Sequence, residues 1–416
     1  MANAVLTASI IAKEAISKLD NNLVMAKKVF RGFQEDFSKN VNGYKVGDTL
    51  TIRKPTDFTV RDGAVLSAQD VTEGSTTITV NKRKGIDFSF SSQDLTLKIS
   101  ELSERVIEPA MIQLANQIDS DLMALYANVP SWVGTPGQTI NSYSDFSKGP
   151  RRLDQYAIPM DGRCAVLSPD DHWDLLGSQT SLYIQDAAKG AYRKGSLGEI
   201  GGVDTYMSQN VPSHTTGNYA GTVLMDLSIT TSTLTYAAIK DTNVQTIHMD
   251  GFTTGAAVVK AGDVFTIADV YAVNPVTKAR LPFLKQFVVT DDATMSANEG
   301  DLIISPAMIW TGAFKNIDVA NGVTDLNNQA ITFIGTQSTV YPQNMVFREN
   351  AFALVTVPLV APPGAVDVAR ESYKGLNVRV IPVYDGTNDV SSWRLDVLYG
   401  TKCIDPRQAL RLSGTA

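Results

Sequence analysis

The chain has 416 residues, enough for two or three domains and a sizeable core. Its formal net charge of −7 excludes a generally basic nucleic-acid-binding surface. Only 19% of residues are charged, below the roughly 25% of ordinary globular chains, so exposed positions fall to Thr, Ser, Asn, Gln and Ala, whose surface is cheaper to desolvate against further copies of the chain.

At the N-terminus, Val5, Ala8, Ala12, Ile16, Leu19 and Leu23 recur at steps of three and four, which predicts an amphipathic helix. It reads as an arm docking on its own subunit or on a partner. The stretch lacks a basic leader and Lys13-Glu14 interrupts its apolar run, unlike a signal peptide. From Gly43 to about Phe90 the pattern is strand-like. Lys45, Arg53, Lys54 and Arg61 lie on one limb and Lys82, Arg83 and Lys84 on the other, which predicts a long basic β-hairpin.

Within that hairpin, KVGDTLTI at Lys45 is echoed by KAGDVFTI at Lys260. Gly47 and Gly262 can close a turn at positive φ, and Asp48 and Asp263 can accept from nearby backbone N–H groups. Alternation follows, with Leu50 and Ile52 in one copy and Phe265 and Ile267 in the other. Both copies read as turns opening strands, and NEGDLIIS from Asn298 is a third relative. An Asp presented for catalysis would need a base, nucleophile or metal ligand nearby, and none is close in sequence.

A helix is predicted from Ala110 to Ala127, with Ile107, Met111, Leu114, Ile118, Leu122 and Leu125 on one face. Glu101 and Glu104 suit its N-terminal dipole, and Pro109 must kink it or sit in its first turn. Glu104 and Glu108 lie at i and i+4 on that start, where a solvated face is the ordinary reading of two acids. From Ser131 to about Gly221, loops and short elements alternate. Between 222 and 341 the texture becomes Thr-rich, turn-punctuated short strands, and Asp226 to Val340 holds eleven acidic and six basic residues, a balance of −5. A separate inserted β-domain is expected there. Strand character returns in MVFRENAFALVTVPL, GLNVRVIPVYDG and SSWRLDVLYGTKCI. The apolar stretch from Ala351 is broken by Pro358, Pro362 and Pro363 and is too short for a spanning helix.

Patterns that carry chemistry are scarce in the sequence. Cys164 with Asp170, Asp171 and His172 invites a thiol or metal reading, but GRCAVLSP has the pattern of a buried strand, and the acids fit a helix start. Cys164 and Cys403 are the only cysteines and cannot form a disulfide framework, and His172, His214 and His248 are too scattered for zinc spacing. GAYRKGS has phosphate-loop glycine spacing, but Ser196 stands where the loop's Lys belongs. GSLGEIGG, with Gly198 and Gly201, is not a dinucleotide fingerprint, and no G-x-S-x-G elbow occurs.

The order of elements resembles the major capsid proteins of tailed bacteriophages, the Hong Kong 97 fold, and more narrowly the short-tailed-phage coat proteins that carry an inserted β-barrel. The resemblance is carried by LANQIDSDLMALY in the spine helix, KGSLGEIGGVDTYMSQNVP, KAGDVFTIADV with FLKQFVVTDDAT, and NMVFRENAFALVTVPL. It implies an α+β fold with an N-terminal arm (1–42), an extended hairpin (43–90) and a peripheral domain on the spine helix (91–130). It further implies an axial domain (131–221 and 342–416) split by an inserted barrel (222–341). Such proteins are structural, without catalytic residues, metal or cofactor. They assemble as hexamers and pentamers into an icosahedral shell around double-stranded DNA, with scaffolding and portal proteins, after synthesis in the host cytoplasm. On that reading the cations of the hairpin are candidate subunit contacts. A nanocompartment shell of the same fold and a phage tail or fibre protein are the competing readings.

Overall fold

The computed structural model describes residues 8–33, 37, 40–41, 44–45, 48–66, 68–91, 103–179, 197–230, 234–253, 257–320, 322–362 and 367–415. Val5, Gly47, Glu101 and Ser196 lie outside the described residues, as do the side chains of Lys45 and Glu104. The chain divides into two compact units, one of residues 1–51, 77–123 and 352–402, the other of 52–76, 124–351 and 403–416.

In the first unit the arm helix runs Ala8–Asn22. Its stripe of Ala8, Ile11, Ala12, Ala15, Ile16 and Leu19 is buried, packed on the spine helix Glu108–Met123 and on strands Ala369–Tyr373 and Leu376–Asp385. The arm therefore docks on its own subunit. A five-residue π-turn, Ser103–Ile107, runs directly into the spine helix, and Pro109 sits at that junction, in the first turn of the α-helix. Met111, Leu114, Ile118 and Leu122 are buried as the spacing requires. The α-helix has 16 residues, a rod of about 24 Å, and tightens into a 3-10 turn at Ala124–Asn128.

The sheet of this unit orders Phe352–Val357, Val390–Cys403, Leu376–Asp385 and Ala369–Tyr373, with Lys82–Ser91 also paired to Val390–Cys403. That last pairing corrects the expected hairpin. Thr49–Arg53 pairs with Ser75–Thr79, whereas Lys82–Ser91 runs antiparallel to the distant strand, from Lys82↔Tyr399 to Ser91↔Val390. Period-two alternation shows which face is buried but not which strand lies alongside.

The second unit contains two large sheets among its described residues. One orders Trp132–Val133, Ala409–Leu412, Asn344–Arg348, Arg163–Leu167, Val203–Met207 and Glu199–Ile200. Phe146, Leu153, Leu175, Val346, Leu410 and Leu412 share its core. Phe146 and Leu153 come from a 13-residue helix, Tyr143–Gln155, where the sequence pattern suggested loops. Gly149-Pro150 looks like a breaker, but a Cβ at Gly149 would press on the Val346 side chain at 3.3 Å, and Ser142 caps the start by accepting from Asp145 N. The other sheet is a nearly closed barrel: Gly221–Met225, Gln245–Phe252, Gly300–Ser305, Arg280–Val289, Val264–Val273 and Ile317–Val319 in order, with Ile331–Phe333 also on Val264–Val273. Phe265, Phe287, Ile247, Met249 and Leu302 fill it. The chain runs into and out of the barrel through one antiparallel pair, Ser213–Thr215 with Val340–Pro342.

Candidate assembly surface and buried clamp

The two K-x-G-D copies both open strands, at Thr49 and at Val264, but they differ in energetic setting. Asp48 is exposed, and among the described residues its carboxylate accepts from the Thr49 hydroxyl alone, at 3.3 Å. Gly262 holds φ +96, a left-handed turn that suits glycine, and Asp263 is buried at 1% exposure. Its carboxylate accepts from Lys260 N at 2.8 Å and Gly217 N at 3.0 Å, and bonds His214 Nε2 at 3.0 Å. His214 Nδ1 meets the Tyr126 hydroxyl at 3.1 Å. Arg411, fully buried, donates to the Gly262 carbonyl at 2.7 Å, and its guanidinium faces the rings of Tyr126 and Trp132. Burial draws its pKa down to about 10. The Asp–His–Tyr order imitates a proton relay, but its carboxylate and imidazole are buried and their bonds are spent within the fold. It acts as a clamp at the start of the barrel strand. Sequence spacing could not reveal it, because positions 126, 214, 263 and 411 meet only through the fold.

Gly198 and Gly201 both take positive φ, +64 and +58, flanking the short strand Glu199–Ile200 that feeds Val203–Met207. Cys164 lies on Arg163–Leu167, all five residues of which are buried. Asp171 is consumed by Ile140 N, Ser168 Oγ and Asn344 Nδ2 at 2.6–2.7 Å. Ser168 caps the helix Pro169–Gln179, whose first turn holds both acids, so the expected helix start is what these residues form. Both cysteines are free and buried. Among the described residues, Asp226, His248 and Glu299 are the three groups able to face one cation, with ligand atoms within 4.8 Å of one another. They are half-buried or exposed, and Asp301 occupies His248 Nδ1 at 2.7 Å.

The expected cations fall into two settings. Lys82 pairs with Asp121 at 3.3 Å, and Arg83 with the buried Asp396 at 2.8 Å, which also holds Arg379. Their charges are thus met within the subunit, while Lys84 lies half-buried on the other face from Arg83. Arg53 and Lys54 begin the segment that joins Thr49–Arg53 to Ser75–Thr79. This segment belongs to the second unit and is braced within it. Arg53 pairs with Glu73 at 3.1 Å, and Asp57 lies 3.6 Å from Lys278 and 3.9 Å from Arg407. Ser75 N and Oγ both donate to Asp241 at 2.7 Å. Further out, the Gln69 amide bridges Thr59 by accepting from its N–H and donating to its carbonyl, and Arg61 clasps the carbonyls of Gly63 and Val65. Every described residue from Phe58 to Val71 is exposed. Val60 is 100%, Val65 83% and Leu66 84% exposed. The loop is thus internally bonded and displays aliphatic side chains to solvent.

An α+β scaffold with a docked arm, a spine helix, an exposed loop and an inserted barrel is the Hong Kong 97-like fold, and a coat-protein family match over residues 1–414 makes it that of a major capsid protein of the virion. The chain belongs to the P22 coat protein family: residues 1–414 match the family described as P22 coat protein, gene protein 5. Solved structures with a similar outline include one described as Mycobacterium phage Che8 (14% identity, 94% of this chain and 90% of that chain, TM-score 0.48). The capsid of the cyanophage P-SCSP1u is similar at 10% identity, over 89% of this chain and 84% of that one, with a TM-score of 0.42. A virus-like particle from Pyrococcus furiosus is similar at 8% identity, over 97% of both chains, with a TM-score of 0.38. No curated protein matches the sequence. No helix among the described residues is long and apolar enough to cross a membrane.

Proposed function

We propose that this capsid protein assembles as hexamers and pentamers into an icosahedral shell around packaged double-stranded DNA. It does so with scaffolding and portal proteins, after synthesis in the host bacterial cytoplasm, and without catalysing a reaction. The domains are an arm (1–42), an extended-loop region (43–90) whose hairpin is Thr49–Arg53 with Ser75–Thr79 and whose last strand Lys82–Ser91 joins Val390–Cys403, a peripheral domain (91–130), an axial domain (131–221 and 342–416) and an inserted barrel (222–341). The observation that supports this reading is the loop of Phe58 to Val71. Covering Val60, Val65 and Leu66 against a neighbouring copy contributes about 5 kcal/mol per subunit at 1.5–3 kcal/mol for each side chain. Such a gain, repeated at every contact, favours a closed shell over free subunits. Lys45, Arg53, Lys54, Arg61 and Lys84 are the proposed cationic contacts that set register on a neighbour's acidic surface; Lys82 and Arg83, expected to join them, are instead paired with Asp121 and Asp396 of their own subunit. An acidic subunit has only weak, salt-sensitive affinity for the duplex, so DNA contacts are non-specific.

The test is the double substitution Val65→Asp with Leu66→Asp, beside Arg53→Glu with Lys54→Glu. Each should leave the circular dichroism of the unassembled subunit unchanged and remove particles from negative-stain fields. Normal shells from the Val65–Leu66 double variant would overturn the role of the loop.

A further inference from the structure

Within the second unit, a cavity of about 330 Å³ opens beside the root of the exposed loop. Its walls are the loop root near Asp57, the barrel's short helix Tyr236–Ile239, the barrel strand Arg280–Val289 and the segment from Ile404 to Gln408. Seven Lys and Arg side chains line it, against two acids, Asp57 and Asp405. On a chain of net charge −7 such a local excess of cations is a departure that wants a physical reason.

Part of the excess is met internally. Arg407 forks onto Asp405 at 2.9 and 3.0 Å, and it shares Asp57 with Lys278. Lys315 pairs with Asp318 at 2.6 Å. Lys285 is different. It is 7% exposed, and its Nζ lies 5.3 Å from the centre of the Tyr156 ring. No carboxylate or other hydrogen-bond acceptor among the described residues reaches it. Its Nζ faces the ring and the cavity, with no fixed counter-charge among the described residues to compensate its ammonium. Further cations on the cavity walls add like-charge repulsion to that missing counter-charge. A bound anion would reverse both terms.

We propose that this cavity binds a small phosphate-bearing anion, with Lys285 as its innermost ligand and Lys278 at its side. A phosphate group offers several acceptor oxygens and up to two charges, so it can serve converging ammonium groups that share no planar fork. The volume lies at the lower end of ligand-sized sites. The stacked rings of Tyr236 and Phe314, 3.4 Å apart, supply an apolar wall on which a nucleoside portion can rest. The site is separate from the aliphatic face of the loop, and it stands whether or not that face makes the shell contacts.

The experiment is isothermal titration calorimetry of the full-length unassembled subunit with inorganic pyrophosphate and, separately, with AMP, at ionic strength fixed by sodium chloride. A saturable, one-site isotherm with either probe is expected. Lys285→Met should weaken it about tenfold or more, the scale of one lost charge-assisted hydrogen bond, and Lys285→Arg should retain most of it. Tighter binding of AMP assigns the source to a nucleotide, and tighter or equal binding of pyrophosphate assigns it to free phosphate. Absence of saturable heat with both probes overturns the proposal, as does unchanged affinity in Lys285→Met. If Lys285→Met does not fold, as read by circular dichroism, Lys278→Gln supplies the same comparison from the cavity side.

Discussion

Replacing Asp263 by Ala tests whether one short motif can be both a minor turn and a structural clamp. In the native fold the Asp263 carboxylate, 1% exposed, holds Lys260 N, Gly217 N and His214 Nε2. Removing it strands two backbone donors and one imidazole nitrogen, and takes away the negative charge beside Arg411. Each buried donor left without a partner costs about 1–3 kcal/mol. Water entering the space left behind offsets part of that, so a net loss of about 4 kcal/mol is expected from the same principle. Asp263→Asn keeps one carbonyl acceptor and should lose about half as much, roughly 2 kcal/mol. Asp48→Ala removes only an exposed contact to Thr49 and should stay within about 0.5 kcal/mol. The assay is urea unfolding of the unassembled subunit followed by circular dichroism and tryptophan fluorescence, since Trp132 lies beside Arg411. If Asp263→Ala and Asp48→Ala shift the midpoint equally, the clamp reasoning is wrong.

Three further outcomes follow from particular contacts. Asp396→Ala leaves the buried Arg379 without its counter-ion and should cost about 3 kcal/mol or more, while Arg83→Ala, on a side chain 49% exposed, should cost under about 1 kcal/mol; equal midpoints for the two would contradict the assignment of Asp396 as the centre of that pair. Gly74 meets the barrel's short helix so closely that an added Cβ would lie 2.4 Å from the Lys240 carbonyl and 2.7 Å from the Tyr236 hydroxyl. Gly74→Val should therefore loosen the loop root and speed tryptic cleavage after Arg61, and an unaltered digestion rate would refute the close packing. Asp301, hydrogen-bonded to His248, raises the imidazole above its ordinary value of 6.5. A raised folded-state pKa gives stability that is fully present below pH 6.5 and fades as pH climbs through the folded value. The wild-type advantage over His248→Gln should accordingly be larger near about pH 6 than about pH 9, by no more than about 1 kcal/mol because Asp301 is largely exposed; an advantage that grows with pH would reverse the sign of this argument.

The elements legible in the sequence were those whose signal is local. The spine helix follows from the steps of Met111, Leu114, Ile118 and Leu122, and the K-x-G-D turns from a glycine that can turn and an aspartate that can accept. The arm's stripe also read correctly, but its periodicity could not show which surface it would cover. The second limb of the hairpin was misplaced because Lys82–Ser91 alternates as cleanly as a hairpin limb would, and its partner lies near the far end of the sequence. The helix Tyr143–Gln155 was hidden by Gly149-Pro150, a pair that breaks most helices and here relieves crowding against Val346. The clamp and the cationic cavity were beyond reach for one common reason. Tyr126, His214, Asp263 and Arg411, like Asp57, Lys285 and Arg407, come together only when separate elements pack, and no spacing rule joins them.

The three-rung pair of Ser213–Thr215 with Val340–Pro342 makes the barrel a side branch of the chain. Once those rungs close, everything between them drops out of the path that links Asp87 to Arg394, residues 307 apart, which lowers the entropy lost in that closure by about 0.5 kcal/mol. The consequence is modular: a different globular insert whose own ends lie side by side could be spliced between the two rungs, and the strands on either side would still meet in the same alignment.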